Sequence, residues 1–247
     1  MFNSFRYWLG AALLGLLVAG APIRPGHAQT LADLTGAARS SGAGLFGSLE
    51  FKSNSLKALP QWRRVLASFP VERAAFDRCL ADPAACTSPT QKNWRRMVRS
   101  AAKLAPRERL TAVNDFFNRW PYRQDAELYG RSEYWATPRE FMSRSGDCED
   151  YAIAKYFALR TLGFGREALR IVVLKDRIRG IGHAVLAVYL ADDTLILDNL
   201  SSLIVSHSRY KHYVPQVSMN ETTRWAHVGG NREGERQPYR GLYAQKQ

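Results

Sequence analysis

The string Gly146-Asp147-Cys148-Glu149-Asp150-Tyr151-Ala152 sets a lone thiol among three carboxylates at the point where helical patterning begins. The thiolate is the reactive form of cysteine. A helix N-terminus lowers a thiol's pKa, because its unpaired N–H groups and aligned peptide dipoles favour negative charge. The three neighbouring acids oppose this, so the string asks for an imidazolium, a cation, or both. Five histidines compete for the role of base. His27 lies in the N-terminal leader, and His207, His212 and His227 fall in the less regular C-terminal third. His183 follows the flexible Gly180-Ile181-Gly182 and opens the apolar run Ala184-Val185-Leu186-Ala187-Val188. From the mouth of a strand it can reach a helix end lying over a sheet. Asp198 closes the next apolar strand, Leu195-Ile196-Leu197, either as a strand-to-turn signal or as the group that orients the His183 ring.

Register tests that pair. A tight hairpin centred on Asp192-Asp193 sets Asp198 opposite Ala187, which leaves His183 about 13 Å away at the usual rise per residue. Contact therefore requires a longer loop, a bulge or a skewed pair.

The elements that position these residues read as helices first and strands second. Helical patterning runs over Leu56–Phe69, Val71–Leu80, Thr90–Leu104 and Arg107–Trp120, punctuated by Pro70, Pro89, Pro106 and Pro121. Residues 121–137 carry Tyr122, Tyr129, Tyr134 and Trp135 without a period and read as an ordered aromatic loop. A short helix from Pro138 leads to the turn at Gly146, and a helix over Cys148–Leu162 ends at Gly163, a C-cap. Ala152, Ile153, Tyr156 and Phe157 form its packing stripe. Strands are expected at Leu169–Lys175, His183–Leu190 and Thr194–Leu200, with one or two more between Leu203 and Val217. This order predicts an α+β fold, with the Cys148 helix on one face of an antiparallel sheet.

Met1–Ala28 reads as a secretory signal: Arg6 provides the charged start, Trp8–Ala21 is apolar, and Gly26-His27-Ala28 offers small residues for cleavage. Residues 29–54, rich in Ala, Gly and Ser, read as a flexible leader or a loosely packed first element, and 55–247 as a single domain. In an oxidising compartment Cys79 and Cys86 are near enough to bridge, leaving Cys148 as the free thiol. The charge of +13 becomes +11 once Arg6 and Arg24 leave with the signal. Much of it recurs at helical spacing on Lys92, Arg95, Arg96, Arg99 and Lys103, which reads first as a solvated face. Nucleic acid is not an expected partner of an exported protein.

Trp135-Ala136-Thr137-Pro138, the Gly146–Tyr156 string, His183-Ala184-Val185-Leu186 and Leu197-Asp198-Asn199-Leu200 together resemble the bacterial transglutaminase-like cysteine proteinases, in particular the periplasmic adhesin proteases of the LapG type. The resemblance covers roughly residues 55–227. It implies a papain-like fold and a triad of Cys148, His183 and Asp198. It also implies Ca²⁺ bound by acids around the nucleophile, here Asp147, Glu149 and Asp150, whose hard oxygens suit that ion better than zinc. The Cys148 N–H is the expected oxyanion donor, and Trp135 is either a second donor through its indole or a wall of the substrate cleft. Further implications are a large surface adhesin as substrate, cut near its N-terminus to release cells from biofilm, and an inhibitory periplasmic domain of an inner-membrane cyclic di-guanylate receptor. A transglutaminase or amidase, a peptidoglycan-directed hydrolase, or a non-catalytic calcium-stabilised binding module would use the same residues differently.

Overall fold

A computed structural model describes residues 44–230. The secretory signal read over 1–28 lies outside these residues. The first long helix, α1 (Pro60–Ala81), runs straight through Pro70 where the sequence reading places a break. Its buried residues, Trp62, Val65, Phe69, Glu72, Phe76 and Cys79, recur every three or four positions across the proline, which faces solvent. An interior proline costs about 3 kcal/mol. Burying several large side chains on one stripe, at roughly 1.5–3 kcal/mol each, outweighs that cost.

Helix α2 (Pro89–Ala101) starts from a capping box in which Ser88 accepts from Gln91 N and the Gln91 side chain accepts from Ser88 N. Its basic residues are exposed or half-buried while Trp94, Met97, Val98 and Ala101 are buried, as a solvated face requires. Arg95 turns back to cap the Cys79 and Leu80 carbonyls at the end of α1. A disulfide between Cys79 and Cys86 fastens the same junction. Helix α3 (Pro106–Phe117) follows. The aromatic segment contains a short helix, α4 (Asp125–Tyr129), where the sequence reading has only loop. It is too short to show a period, and the stacking of Tyr129 on Tyr134 at 4.0 Å between ring centroids holds it. Helix α5 (Pro138–Arg144) is boxed by Thr137 and Glu140.

Helix α6 (Cys148–Thr161) is the centre of the molecule. Every residue from Asp150 to Leu159 is buried, so the four-residue stripe expected from sequence is too narrow. α3, α5 and the sheet all pack around it. Gly163 takes a positive φ of 94° just beyond it, as a C-cap does.

Strands β1 (Ser48–Ser53), β2 (Leu169–Asp176), β3 (Ile181–Tyr189), β4 (Thr194–Leu197), β5 (Val205–Ser206), β6 (Tyr213–Met219) and β7 (Arg224–Gly229) form one antiparallel sheet in the order β1-β7-β6-β2-β3-β4-β5. This is the expected α+β class. Two strands correct the reading. β1 lies inside the 29–54 segment taken for a flexible leader, and β7 lies beyond the last strand expected. They pair with each other across the length of the chain, which no local pattern reveals. Leu45 and Phe46, just before β1, are buried against Tyr213 on the sheet face away from α6. Among the described residues no helix is long and apolar enough to cross a membrane.

Candidate active site

Cys148 is the first residue of α6, and the turn before it is built around a glycine. A Cβ on Gly146 would stand 2.0 Å from Asp150 Oδ2, so only glycine lets that carboxylate fold back under the turn to accept from Asp147 N at 3.3 Å. A parallel bridge from Tyr122 to Gly146, with Arg123 N donating to Gly146 O at 2.9 Å, holds the turn from the other side. Cys148 is a free thiol, as the leftover-cysteine argument requires. Its Sγ donates to Glu149 Oε2 at 3.3 Å. Burial, then the Glu149 and Asp147 charges, push the thiol well above its usual pKa. The electrostatic problem posed by the sequence is present in the fold.

His183 lies near the start of β3 and Asp198 just past β4. Tyr189 pairs with Thr194 and Leu186 with Leu197, so the hairpin turns through residues 190–193 rather than through the tight Asp192-Asp193 loop. Asp198 is thereby offset two residues closer to His183, and the two become diagonal neighbours on one sheet face, within side-chain reach. His183 Nε2 and Asp198 Oδ1 are 2.9 Å apart and both residues are buried. Asp198 Oδ1 also accepts from Leu200 N at 3.0 Å, and Oδ2 accepts from the Tyr213 hydroxyl at 2.6 Å. Burial pushes this carboxyl up, but His183, Tyr213 and the Leu200 N–H together hold it below the usual carboxylate range. With Nε2 engaged, Nδ1 is the ring nitrogen left to exchange a proton with a thiol.

Two further groups support this corner, and neither is marked by local sequence. Asn118, which caps the end of α3, donates to Asp198 O at 2.9 Å and pins the end of β4. Lys155, two turns along α6 from Cys148, is fully buried, and its ammonium has no hydrogen-bond partner. Burial pulls its pKa down to about 7 against the attraction of Asp198 and Asp115.

Cys148 and His183 line one cleft of about 640 Å³, walled by Leu59, Tyr122, Trp135 and Val217. The Trp135 indole N–H donates to Glu133 Oε1 at 3.3 Å, so in this structure Trp135 is a wall of the cleft and its donor is already used. His227 also reaches the cleft, from strand β7 and not from irregular chain. Both of its ring nitrogens are engaged at 2.8 Å, Nδ1 by Ser48 and Nε2 by Ser218, and burial lowers its pKa to about 4. It is therefore a neutral structural histidine.

The acids divide in a way the sequence reading did not anticipate. Asp125, Asp147 and Asp150 bring ligand atoms within 4.8 Å of one another, whereas Glu149 groups with Asp147 and Cys148 on the thiol's side. Asp125 belongs to α4, some twenty residues upstream, and by itself reads only as an acid in the first turn of a short helix. Asp125 Oδ2 accepts from Tyr134 N, and Asp150 Oδ1 from Ala136 N at 2.6 Å. Asp125 Oδ1 and Asp147 Oδ1 are buried with no partner. Burial raises all three, and the Asp147 charge adds to this for Asp125, which is pushed up to about 7, and for Asp150. Three converging carboxylates with orphaned oxygens fit a hard divalent cation.

The model of the bacterial transglutaminase-like cysteine proteinase family matches residues 65–233. Among solved structures, Legionella pneumophila LapG superposes with a TM-score of 0.54 at 31% identity, over 62% of this chain and 87% of that one. Its calcium-bound form matches at 32% identity, and its EGTA-treated form at 31%, each with a TM-score of 0.54 over 62% of this chain and 87% and 85% of theirs. No curated protein sequence matches the chain at a significant level. The sheet, the central helix and a family match over more than half the sequence agree: this chain belongs to the bacterial transglutaminase-like cysteine proteinases.

Proposed function

We propose that this protein is a periplasmic, calcium-dependent endopeptidase that cuts a large cell-surface adhesin and so promotes release from biofilm, with Cys148 as nucleophile, His183 as base and Asp198 as the group that orients the ring. The observation that carries this reading is that His183, in buried contact with Asp198 at 2.9 Å, lines the same cleft as the free thiol. Export is supported by the leader read over residues 1–28 and by the Cys79–Cys86 disulfide.

His183 Nδ1 takes the thiol proton, and the Cys148 thiolate attacks the scissile carbonyl to form an acyl-enzyme with its carbonyl oxygen negatively charged in passing. The Cys148 N–H, in the first turn of α6 where no intrahelical acceptor exists, donates to that oxygen. The imidazolium then gives its proton to the leaving amine. Water, activated by the same ring, cleaves the thioester and restores the thiol. Asp198, fixed by Tyr213 and Leu200, stabilises the imidazolium throughout.

Asp125, Asp147 and Asp150 would hold calcium, with Glu149 beside Asp147 on the thiol's side. A bound Ca²⁺ offsets the negative charge that otherwise keeps the thiol protonated. The fit of these residues and the calcium-bound relative support this assignment. The inhibitory partner follows from the family resemblance: the periplasmic domain of an inner-membrane cyclic di-guanylate receptor.

The test is incubation of the purified protein with the N-terminal region of each large secreted adhesin from the same genome, with calcium or with EGTA. Calcium-dependent cleavage of one of them, absent with Cys148→Ala, is the expected result. Intact substrate in every calcium arm would refute the reading.

A further inference from the structure

The strand register draws a line of small and apolar side chains away from the candidate catalytic centre. Ala184, next to His183, pairs with Val173; Val173 pairs with Val217; Val217 pairs with Ala226; and Ala226 pairs with Phe51 on β1. Directly paired residues share a sheet face, so these five form one row across five strands. Ala184, Val173, Val217 and Ala226 all line the cleft. Exposure rises outward, from 3% at Ala184 and 8% at Val173 to 59% at Phe51. Beside Phe51, Leu49 is 60% exposed and pairs with Val228, itself 50% exposed and part of the cleft lining. The apolar floor thus does not stop at the cleft mouth but continues to the sheet edge, where β1 is the outermost strand.

We infer that this row is an extended subsite that takes a stretched polypeptide segment of the substrate, seating an apolar side chain on Phe51 and Leu49. The inference rests on the protease reading. Four steps between strands span about 19 Å, the length of about six extended residues. Phe51 would therefore recognise a side chain roughly five or six residues from the scissile bond, on one side of it. Continuity with the cleft identifies the occupant, since any chain bound at Cys148 and leaving over β2, β6 and β7 must cross this floor. An uncharged floor of Ala and Val selects small or aliphatic residues near the bond, and the exposed aromatic at the edge selects a larger apolar one further out.

A tryptic digest of a bacterial proteome, incubated in calcium buffer with the wild type, Phe51→Ser and Phe51→Leu, provides the probe, with cleavage sites read by mass spectrometry. The wild type should favour peptides with an apolar residue five or six positions from the cut over peptides ending before that position. This long-to-short ratio should fall about fivefold or more in Phe51→Ser, because even partial cover of an aromatic side chain is worth close to a decade in binding. Phe51→Leu should restore most of it. Phe51 is exposed, so both variants should fold, and their melting temperatures check this. Cleavage without any remote preference, or a preference unchanged in folded Phe51→Ser, overturns the subsite and leaves the protease reading intact. No cleavage of the digest by the wild type overturns the subsite, and overturns the protease reading as well if the adhesin fragments also stay intact in calcium. Sedimentation of the wild type and Phe51→Ser completes the test: a wild-type dimer that Phe51→Ser dissociates would assign the strip to a second copy of the chain and overturn the inference.

Discussion

Asp198 has few interactions to spare: His183 and the Leu200 N–H share one oxygen, and the Tyr213 hydroxyl takes the other. Tyr213→Phe removes one donor from a buried carboxylate, a loss of about 1–3 kcal/mol in hydrogen bonding. It should lower kcat by roughly tenfold or more with little change in KM. The Tyr213 hydroxyl is one of the groups that hold the Asp198 carboxyl below its usual range, so its loss should raise that carboxyl and move the acidic limb of the pH–rate profile up. An unchanged profile would show that Tyr213 only packs. Cys148→Ala or His183→Ala should abolish proteolysis with the circular dichroism spectrum intact, because a nucleophile and its base act as a unit. Near-normal cleavage by either purified variant would sink the assignment. Gly146→Ala should act at a distance from the thiol: its Cβ cannot coexist with the folded-back Asp150 carboxylate. Calcium affinity measured by calorimetry should fall together with activity, and wild-type affinity would contradict the role given to that turn.

Among the elements, α6 carries the thiol at its solvent end and buries everything from Asp150 to Leu159, so it cannot shift without opening the core. α1 braces it through Trp62 and Phe69, α2 packs in turn on α1, and the junction of α1 and α2 is held by the Cys79–Cys86 disulfide and the Arg95 cap. A bridge between residues seven apart closes a short loop, for which chain entropy gives roughly 2.5 kcal/mol. Replacing both cysteines with serine should lower the unfolding free energy by up to about that amount while leaving kcat/KM near wild type, since neither residue lines the cleft. Mass spectrometry that found Cys148 in a disulfide would overturn both the redox argument and the active-site argument.

At the scale of the whole molecule, the buried carboxylates tie folding to pH and, in the proposed calcium site, would tie it to metal as well. Without a cation, Asp125 titrates near 7 instead of near 3.8, and Asp147 and Asp150 are raised as well. These groups then hold more protons in the folded protein than in the unfolded chain between about pH 4 and pH 7, so their contribution to stability is full below that window and is lost as pH rises through it. In the proposed site, bound calcium would replace those protons. The melting temperature of EGTA-treated protein should therefore drop between pH 4 and pH 7 more steeply than that of the calcium-loaded protein. At neutral pH added Ca²⁺ should raise it by mass action, with Mg²⁺ a poor substitute because it demands a smaller and stricter shell. Metal-free protein that melts and cleaves like the calcium-loaded form would reduce these acids to helix-terminal charges.

The free thiol of Cys148, the helix it opens, the place of His183 near the start of a strand and the α+β order were legible in the sequence, because each leaves a local mark: an odd cysteine, a glycine turn, a polar residue at the mouth of an apolar run. The remainder depended on pairings remote along the chain. Pro70 reads as a break until the buried stripe on both sides of it is seen to be continuous. β1 hides in a stretch rich in small residues because its partner, β7, lies some 170 residues away. Asp125 is an ordinary helix-first-turn acid until the fold brings it beside Asp147 and Asp150. The sequence posed the distance between His183 and Asp198 as a question of register, and the tertiary structure answered it with a four-residue connection and a diagonal pair. Residue type and local spacing determine which chemistry a chain can attempt. Which groups meet is decided by the burial and hydrogen bonding of whole strands and helices, whose energies are summed over contacts that no short window of sequence contains.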